Sequence, residues 1–295
     1  MVPHVCYICG IMRKSTIMRA VASASFLVLS WVAYTQTQPA KLTITKVKED
    51  LYNIEGDGGN VAALVTSEGV ILIDDKYERD HDQIVAAVKS VTPQPIKYIF
   101  STHHHEDHSG GNVQFVSSAI VVSTAQARKN IVEHKQSNAA ANVTPAQFVY
   151  TQEASVFLGG KEVRARHFGR GHTNGDAIVY IPSLKTIHTG DLMAGVSPLI
   201  DYPGGGSVVE WTKTLDGALG MDFDTVIPGH GKVTDKAGLK TYRDNVEKLR
   251  NRVAGLVKSG KSQDEVGKVM TEEYKWAPGS LNMQWSLPGL MTELK

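Results

Sequence analysis

The residues with the clearest chemical potential lie at positions 103–108, in the run HHHEDH. Four of the eleven histidines of the chain fall within this run. Imidazole and carboxylate groups are suitable ligands for Zn²⁺. Along an extended loop His103 and His105 project to the same side, whereas Asp107 and His108 follow the turn and can face a second ion. The run therefore predicts a site for two metal ions rather than one.

The alternative for this run is a solvated polyhistidine segment that binds metal adventitiously. Two features favour a formed site instead. The run follows a predicted strand at residues 96–101, and it is followed by Ser109-Gly110-Gly111-Asn112, which suits a tight turn. An expression tag is disfavoured because the run is internal and is interrupted by Glu106 and Asp107.

Three further candidate ligands lie in separate loops, each of them flanked by glycine. His172 lies in GRGHTNGD, Asp191 in HTGD and His230 in IPGHG. Glycine lets the backbone bend sharply and come close to a bound group. A single loop histidine is more often simply exposed, and an aspartate after a strand is more often a helix cap. Three such loops added to the first run indicate a shared metal centre.

The elements that must position these loops follow an α/β pattern. Val70–Ile73 is a continuous apolar run that suits a strand buried on both faces. Residues 80–91 carry apolar side chains at helical spacing, and residues 96–101 form the strand before the histidines. Open α/β sheets place their chemistry beyond the carboxyl ends of strands. The first run of candidate ligands occupies that position.

The second half of the chain repeats the pattern. Helices are predicted at residues 124–133 and 208–219, and from residue 235 onward the chain is helical, with Ser262 and Glu265 as a capping box. Short strands are predicted at residues 119–123, 147–150, 155–158, 162–168, 177–181, 186–189 and 225–227. The two halves, 41–135 and 147–235, resemble two similar α/β lobes.

Residues 1–40 have the layout of a secretory signal: basic residues, an apolar stretch at residues 20–33, then a polar exit. The stretch is short for a membrane span, which needs about 20 apolar residues. An uncleaved amphipathic anchor is the alternative. The only cysteines, Cys6 and Cys9, precede this stretch, so we expect a mature protein without disulfides or thiolate ligands. The pattern predicts a periplasmic or secreted protein with no stable membrane span after leader removal.

Composition limits the partners. Lys and Arg total 31 against 30 Asp and Glu, and this near neutrality disfavours a broad surface for nucleic acid. A small-molecule substrate is the expected partner. No Gly-x-Ser-x-Gly sequence supplies an alternative serine nucleophile.

The sequence THHHEDHSGGN matches the H-x-H-x-D-H signature of the metallo-β-lactamase superfamily, and the later His, Asp and His follow in the family's order. The resemblance covers residues 41–235. It implies a four-layer αβ/βα sandwich with the site at one edge between two sheets. Residues 236–295 would be a C-terminal helical extension packed on the same domain.

The resemblance also implies a ligand set for two Zn²⁺ ions per chain. The first ion would be held by His103, His105 and His172, the second by Asp107, His108 and His230, with Asp191 bridging both. A bridging aspartate resembles the glyoxalase-like and lactonase-like branches. It disfavours a dedicated β-lactamase but leaves promiscuous lactam cleavage open.

The implied mechanism uses a metal-bound hydroxide, because zinc lowers the pKa of water from roughly 15.7 to about 7. Asp107 would orient this hydroxide besides binding metal. By the resemblance, Asp74 is a candidate to hydrogen-bond a ligating histidine from behind. Asp176 is a candidate to brace its own loop. His188 is a third supporting candidate, although a histidine within a strand is more often simply packed or hydrogen-bonded there. The predicted substrate-pocket residues are Tyr202 and Trp211, in the Gly-rich segment 192–211.

The function that the sequence favours is an exported zinc hydrolase of an ester, thioester, lactone or β-lactam amide bond. A glyoxalase-like thioesterase shares the first motif, but glutathione thioesters are mainly intracellular. The enzyme alternative is a phosphodiesterase or nuclease of the same superfamily. The non-enzyme alternative is a zinc-binding protein.

Overall fold

The structure, a computed structural model, describes residues 40–133, 143–195 and 197–295. Lys41–Lys295 form one compact unit. Its strands are β1 (Thr43–Lys48), β2 (Leu51–Glu55), β3 (Val61–Val65), β4 (Val70–Ile73), β5 (Ile96–Phe100), β6 (Ile120–Thr124), β7 (Phe148–Tyr150), β8 (Glu153–Leu158), β9 (Lys161–Arg166), β10 (Ile178–Ile181), β11 (Thr186–His188), β12 (Thr225–Ile227) and β13 (Thr234–Asp235).

Helices connect and cover these strands. They are α1 (His81–Lys89), α2 (Glu106–Ser109), α3 (Asn112–Phe115), α4 (Ala125–Val132), α5 (Val208–Leu219), α6 (Lys236–Lys258), α7 (Gln263–Tyr274) and α8 (Leu287–Glu293). Short 3₁₀ segments cover Glu78–Asp80, Pro182–Leu184 and Gly190–Leu192, and a π-helical turn covers Asn282–Ser286. The predicted capping box at the start of α7 is present.

The strands form two mixed sheets. The first has the order β1-β2-β3-β4-β5-β6-β7, antiparallel as far as β4 and parallel from β4 to β7. The second has the order β13-β12-β11-β10-β9-β8, and its β11–β12 pair is parallel. The parallel pairs matter most for function, because their carboxyl ends meet at one edge of each sheet.

Side-chain alternation along the strands produces a layered core. In β3 the buried Ala62 and Leu64 pack with residues of the second sheet, whereas Val61 and Ala63 pack with α1 and α3. A third cluster joins the far face of the second sheet to α5, α6, α7 and α8. The layers are therefore helices, sheet, sheet, helices, and the expected αβ/βα sandwich with C-terminal helices is confirmed.

The C-terminal helices share this third cluster with the second sheet. Buried Leu249 of α6, Met270 of α7 and Leu290 of α8 belong to the same cluster as Ile187 of β11. The hydrophobic effect therefore holds residues 236–295 against the preceding sheet rather than apart from it.

Residues 1–39 of the predicted leader, including both cysteines, lie outside the described residues. Among the residues that the structure describes, no helix combines the length and apolar character that crossing a bilayer requires.

Replacing Leu290 with alanine tests the packing of the C-terminal helices. Leu290 is fully buried, so we expect Leu290→Ala to lower the free energy of unfolding by about 2–5 kcal/mol. Urea denaturation provides the measurement. Phe157→Ala is the control, since Phe157 is 71% exposed and should change stability by about 0.5 kcal/mol or less. A Leu290→Ala loss no larger than that of the control would mean that α8 does not pack on the sheet.

Candidate metal centre

Six of the seven candidate ligands come from loops at the carboxyl ends of parallel strands in the two sheets. Residues 103–108 follow β5, and Asp74 follows the neighbouring parallel strand β4. In the second sheet, Asp191 follows β11 and His230 follows its parallel neighbour β12. His172 lies in the loop between β9 and β10. The structure thus brings the ends of both sheets to one site.

The first group of candidate ligands is His103, His105 and His172. The Nδ1 atom of His105 lies 2.9 Å from the Nε2 atom of His172. The Nε2 atom of His103 is buried and has no hydrogen-bond partner. With Asp191, these side chains place one donor atom each within 4.8 Å of one another.

Two rings of this group, His103 and His172, are each held through the nitrogen that faces away from the centre. The Nδ1 atom of His103 lies 3.1 Å from the Thr102 hydroxyl, and the Nδ1 atom of His172 lies 2.6 Å from the carbonyl oxygen of Leu199. A ring fixed at one nitrogen aims the other nitrogen at a defined point. Two of the three rings therefore face the centre with orientations set by the protein.

Burial keeps the imidazoles of His103 and His172 neutral. Burial and the neighbouring His108 hold the pKa of His103 well below its usual value. Burial and the neighbouring His105 lower the pKa of His172 to about 4. Neutral imidazole is the form that binds a metal ion.

The second group is Asp107, His108 and His230. The Nε2 atom of His230 lies 3.1 Å from a carboxylate oxygen of Asp107 and 3.2 Å from the Nε2 atom of His108. Burial would raise the pKa of Asp107, but the His108 and His230 rings outweigh it and lower this pKa to about 2. Asp107 is therefore an anionic candidate ligand.

Asp191 lies between the two groups. Its Oδ1 atom is 3.1 Å from the Nε2 atom of His108 and 3.5 Å from that of His230. Its Oδ2 atom is 3.7 Å from the Nε2 atom of His172. One carboxylate oxygen thus faces each group, which is the arrangement that a bridging ligand requires.

The donor set fits metal ions better than it fits a self-contained hydrogen-bond network. Two imidazole nitrogens that face each other can share only one proton, and this occurs at His105–His172 and at His108–His230. The buried Nε2 atom of His103 adds an unsatisfied acceptor. A metal ion at each of the two groups would bind the nitrogen lone pairs that the hydrogen bonds leave unpaired.

Asp74 holds His108 from behind. Its Oδ2 atom accepts a hydrogen bond from the Nδ1 atom of His108 at 2.7 Å, and its Oδ1 atom accepts one from the Thr102 amide at 2.7 Å. Asp74 adopts a left-handed backbone conformation, with φ of 65°, which is unusual for a residue other than glycine. The structure places Asp74, which the sequence suggested as a support for a ligating histidine, against the His108 ring.

His188 and Asp176 brace the loops rather than the rings. The Nδ1 atom of His188 accepts a hydrogen bond from the Gly190 amide at 3.1 Å, next to Asp191. Asp176 accepts hydrogen bonds from the amide and the hydroxyl of Thr173, next to His172. Burial raises the pKa of Asp176 to about 7.

Asp201 is a supporting residue that sequence reasoning missed. Its Oδ2 atom lies 2.9 Å from the Nε2 atom of His105 and 3.5 Å from that of His104. Burial would lower the pKa of His105, but the hydrogen bond to Asp201 outweighs it and raises this pKa. The available signal was a carboxylate inside the Gly-rich segment DYPGGG.

Asn60 and two glycines fit the loops together. The Asn60 side chain donates hydrogen bonds to the carbonyl oxygens of Pro228 and Gly231, on both sides of His230. A Cβ atom on Gly59 would lie 2.2 Å from the His108 ring, and one on Gly229 would lie 2.1 Å from the Asp191 carboxylate. Only glycine permits these approaches.

A cleft with a volume of about 410 Å³ opens onto the ligands. It is lined by Tyr77, His105, Glu106, Asp107, Asp191, Ala194, Gly195, Ser197, Leu199, His230, Leu281 and Trp285.

The structure places the predicted pocket residues elsewhere. Trp211 is fully buried in the core behind His172, and Tyr202 donates a hydrogen bond to Glu293 beside a different surface depression. Trp211 packs inward because its position on α5 faces the second sheet.

Comparison with known proteins agrees with this architecture. The metallo-β-lactamase IND-1 of Chryseobacterium indologenes is 27% identical over 175 residues, which cover 58% of this chain and 71% of that protein. A type 2 metallo-β-lactamase of Elizabethkingia meningoseptica is 23% identical over 232 residues, covering 75% and 90% of the two chains. The crystal structure of the DIM-1 metallo-β-lactamase has a TM-score of 0.61 at 25% identity, and the match covers 70% of this chain and 98% of that one.

The family model of the metallo-beta-lactamase superfamily matches residues 54–230. This segment is more than half of the chain and contains all of the ligand-bearing loops. The resemblance noted in the sequence is confirmed, and the chain belongs to the metallo-beta-lactamase superfamily.

Proposed function

We propose that the protein is a dinuclear zinc hydrolase that cleaves an ester, thioester, lactone or β-lactam amide bond. One observation carries the proposal: two groups of His and Asp donor atoms lie side by side, and Asp191 faces both. Superfamily membership supports hydrolysis as the reaction class.

The chemistry of the donor atoms supports zinc. Five imidazoles and two carboxylates make up the set, and zinc prefers nitrogen with a minority of carboxylate oxygen. Calcium and magnesium prefer all-oxygen sites. In this proposal His103, His105 and His172 would hold one ion, and Asp107, His108 and His230 would hold the other. Asp191 would serve as a ligand to both.

The protein side chains provide position and charge for the reaction. When bound, zinc supplies a water nucleophile near neutral pH and polarises the scissile carbonyl. Asp107 carries a carboxylate that lines the cleft, where it can accept a hydrogen bond from the nucleophile and orient it. The braced rings keep the ligands in place, so little reorganisation accompanies the reaction.

A carbonyl substrate is preferred over a phosphodiester. The relatives from Chryseobacterium indologenes and Elizabethkingia meningoseptica carry the name metallo-β-lactamase, which makes β-lactam cleavage one candidate for this chain. The small cleft and the near-neutral net charge of the chain suit a small molecule rather than a nucleic acid. A zinc-storage protein would not require a carboxylate placed between two ion positions.

A substrate panel tests the proposed reaction. We expect the full chain, loaded with zinc, to hydrolyse at least one of nitrocefin, an acyl lactone, a thioester and a simple ester, and to leave a phosphodiester intact. Removing metal with a chelator should abolish turnover, and adding zinc should restore it. Elemental analysis should give two zinc ions per chain. Two bound ions without activity on any carbonyl substrate would contradict the proposal.

Asp191 separates the enzyme from the storage protein. Asp191→Ala should lower both zinc content and turnover, because both ion positions lose a ligand. Asp82→Ala is the matched control, since the Asp82 side chain is 98% exposed and should leave both quantities unchanged. Turnover that survives in Asp191→Ala after loss of the metal would rule out a catalytic role for the ions.

The Asp201–His105 contact gives a prediction about metal affinity. Asp201→Asn keeps the size of the side chain but removes the charge that holds the Nε2 atom of His105. We expect zinc affinity to fall roughly 10- to 100-fold, as for other residues that support metal ligands. Competition with a chromophoric chelator measures it, with Asp82→Asn as the control. An affinity within about twofold of the wild type would show that Asp201 does not support the site.

We propose export of the protein on the basis of the basic, apolar and polar layout of residues 1–40. Expression of the full chain in a Gram-negative host should place it in the periplasmic fraction. N-terminal sequencing of that material should begin within or just after residues 33–40. Recovery of the uncleaved chain from the cytoplasm would refute this proposal.

A further inference from the structure

A segment beyond the family match contributes to the candidate site. The match ends at residue 230, yet Leu281 and Trp285 line the same cleft as His105 and His230. The Trp285 ring lies 5.8 Å from the His105 ring in an edge-on arrangement. The C-terminal extension therefore reaches the proposed reaction centre.

The two side chains lie on an unusual backbone element. Asn282–Ser286 form a π-helical turn, and Leu281 is its N-terminal cap. Single π-helical turns are rare and often occur at functional sites. This turn directs Trp285 into the cleft while the next residue, Ser286, is fully buried.

Hydrogen bonds attach the π-helical turn to the neighbouring loop at residues 197–200. The Asn282 side chain donates to the carbonyl oxygen of Pro198 at 2.8 Å. The hydroxyl of Ser286 accepts a hydrogen bond from the Ile200 amide at 2.8 Å and donates to the Ile200 carbonyl at 3.1 Å. These contacts fix the turn against residues 197–200.

The same loop orients a metal ligand. Between Pro198 and Ile200, the carbonyl oxygen of Leu199 accepts the hydrogen bond from the Nδ1 atom of His172. Just before it, the hydroxyl of Ser197 accepts a hydrogen bond from the Trp276 indole at 2.7 Å. The C-terminal turn and His172 thus share one supporting loop, so the turn has a defined position relative to the metal centre.

The cleft surface formed in this way is apolar. Leu199, Leu281 and Trp285 line it, and Leu281 remains 43% exposed. An apolar substrate group that covers these side chains removes apolar surface from water, and this favours binding of the substrate.

We propose that Leu281–Trp285 form an apolar wall that selects substrates with an alkyl or aryl group next to the scissile carbonyl. Trp285 is the specificity-determining residue. This inference rests on the proposed hydrolase function, and it narrows the substrate class of the same site.

Methyl butanoate and methyl octanoate test the wall, because their small leaving group leaves only the acyl chain to contact it. Each CH₂ group that leaves water strengthens binding roughly two- to fourfold. The zinc-loaded full chain should therefore hydrolyse the octanoate with a kcat/KM at least about tenfold higher, as measured in a pH-stat. In Trp285→Ala this ratio should fall to within about threefold of one, and Trp285→Phe should retain most of it.

Phe157→Ala is the control for removal of an exposed aromatic side chain, since Phe157 lies on β8 outside the residues that line the cleft. It should keep the wild-type ratio. Zinc content is measured for each variant, so that loss of metal is not mistaken for loss of the wall. An unchanged ratio in Trp285→Ala, or a wild-type ratio near one, would overturn the inference.

Binding provides a second measurement that needs no turnover. Calorimetry should give a Kd for octanohydroxamate at least about tenfold lower than for acetohydroxamate in the wild type, and Trp285→Ala should remove most of that difference. If neither ester is hydrolysed, the hydrolase proposal fails for esters. The Kd values of the two hydroxamates then test the apolar wall independently of turnover. Equal Kd values in the wild type would refute it.

Discussion

The site depends on the control of imidazole rings through the nitrogen that faces away from the centre. A hydrogen bond at one ring nitrogen fixes the tautomer and orientation of a neutral histidine. The lone pair on the other nitrogen then points in a defined direction. Asp74 holds His108, Asp201 holds His105, and the carbonyl oxygen of Leu199 holds His172. These supports come from different parts of the chain, so the geometry of the centre reflects the packing of the whole sandwich.

The two sheets bring the histidines and their supporting residues together because the carboxyl ends of their parallel strands face each other. Asp74 and His103 follow neighbouring strands of one sheet, and Asp191 and His230 follow neighbouring strands of the other. The core between the sheets fixes their separation. Asn60 then links the two sheets directly through its hydrogen bonds to the loop that carries His230.

The sequence predicted the fold and the candidate ligands because both leave local signals. The candidate ligands either cluster at residues 103–108 or follow strands beside glycines. The pattern of apolar and polar residues along each strand indicates which faces are buried. Asp201 and Trp285 were not predicted. Asp201 lies 96 residues from His105, and Trp285 belongs to a helical tail whose one recognised motif is a helix cap. Trp211 was assigned to the pocket from its neighbourhood in the chain, but its face of α5 packs into the core.

Anomalous X-ray diffraction at the zinc absorption edge, from crystals of the zinc-loaded protein, tests the two-metal centre most directly. Two peaks are expected, one bound by His103, His105 and His172 and the other by Asp107, His108 and His230. A carboxylate oxygen of Asp191 should contact each of them. A single peak, or peaks away from these seven side chains, would contradict a dinuclear centre.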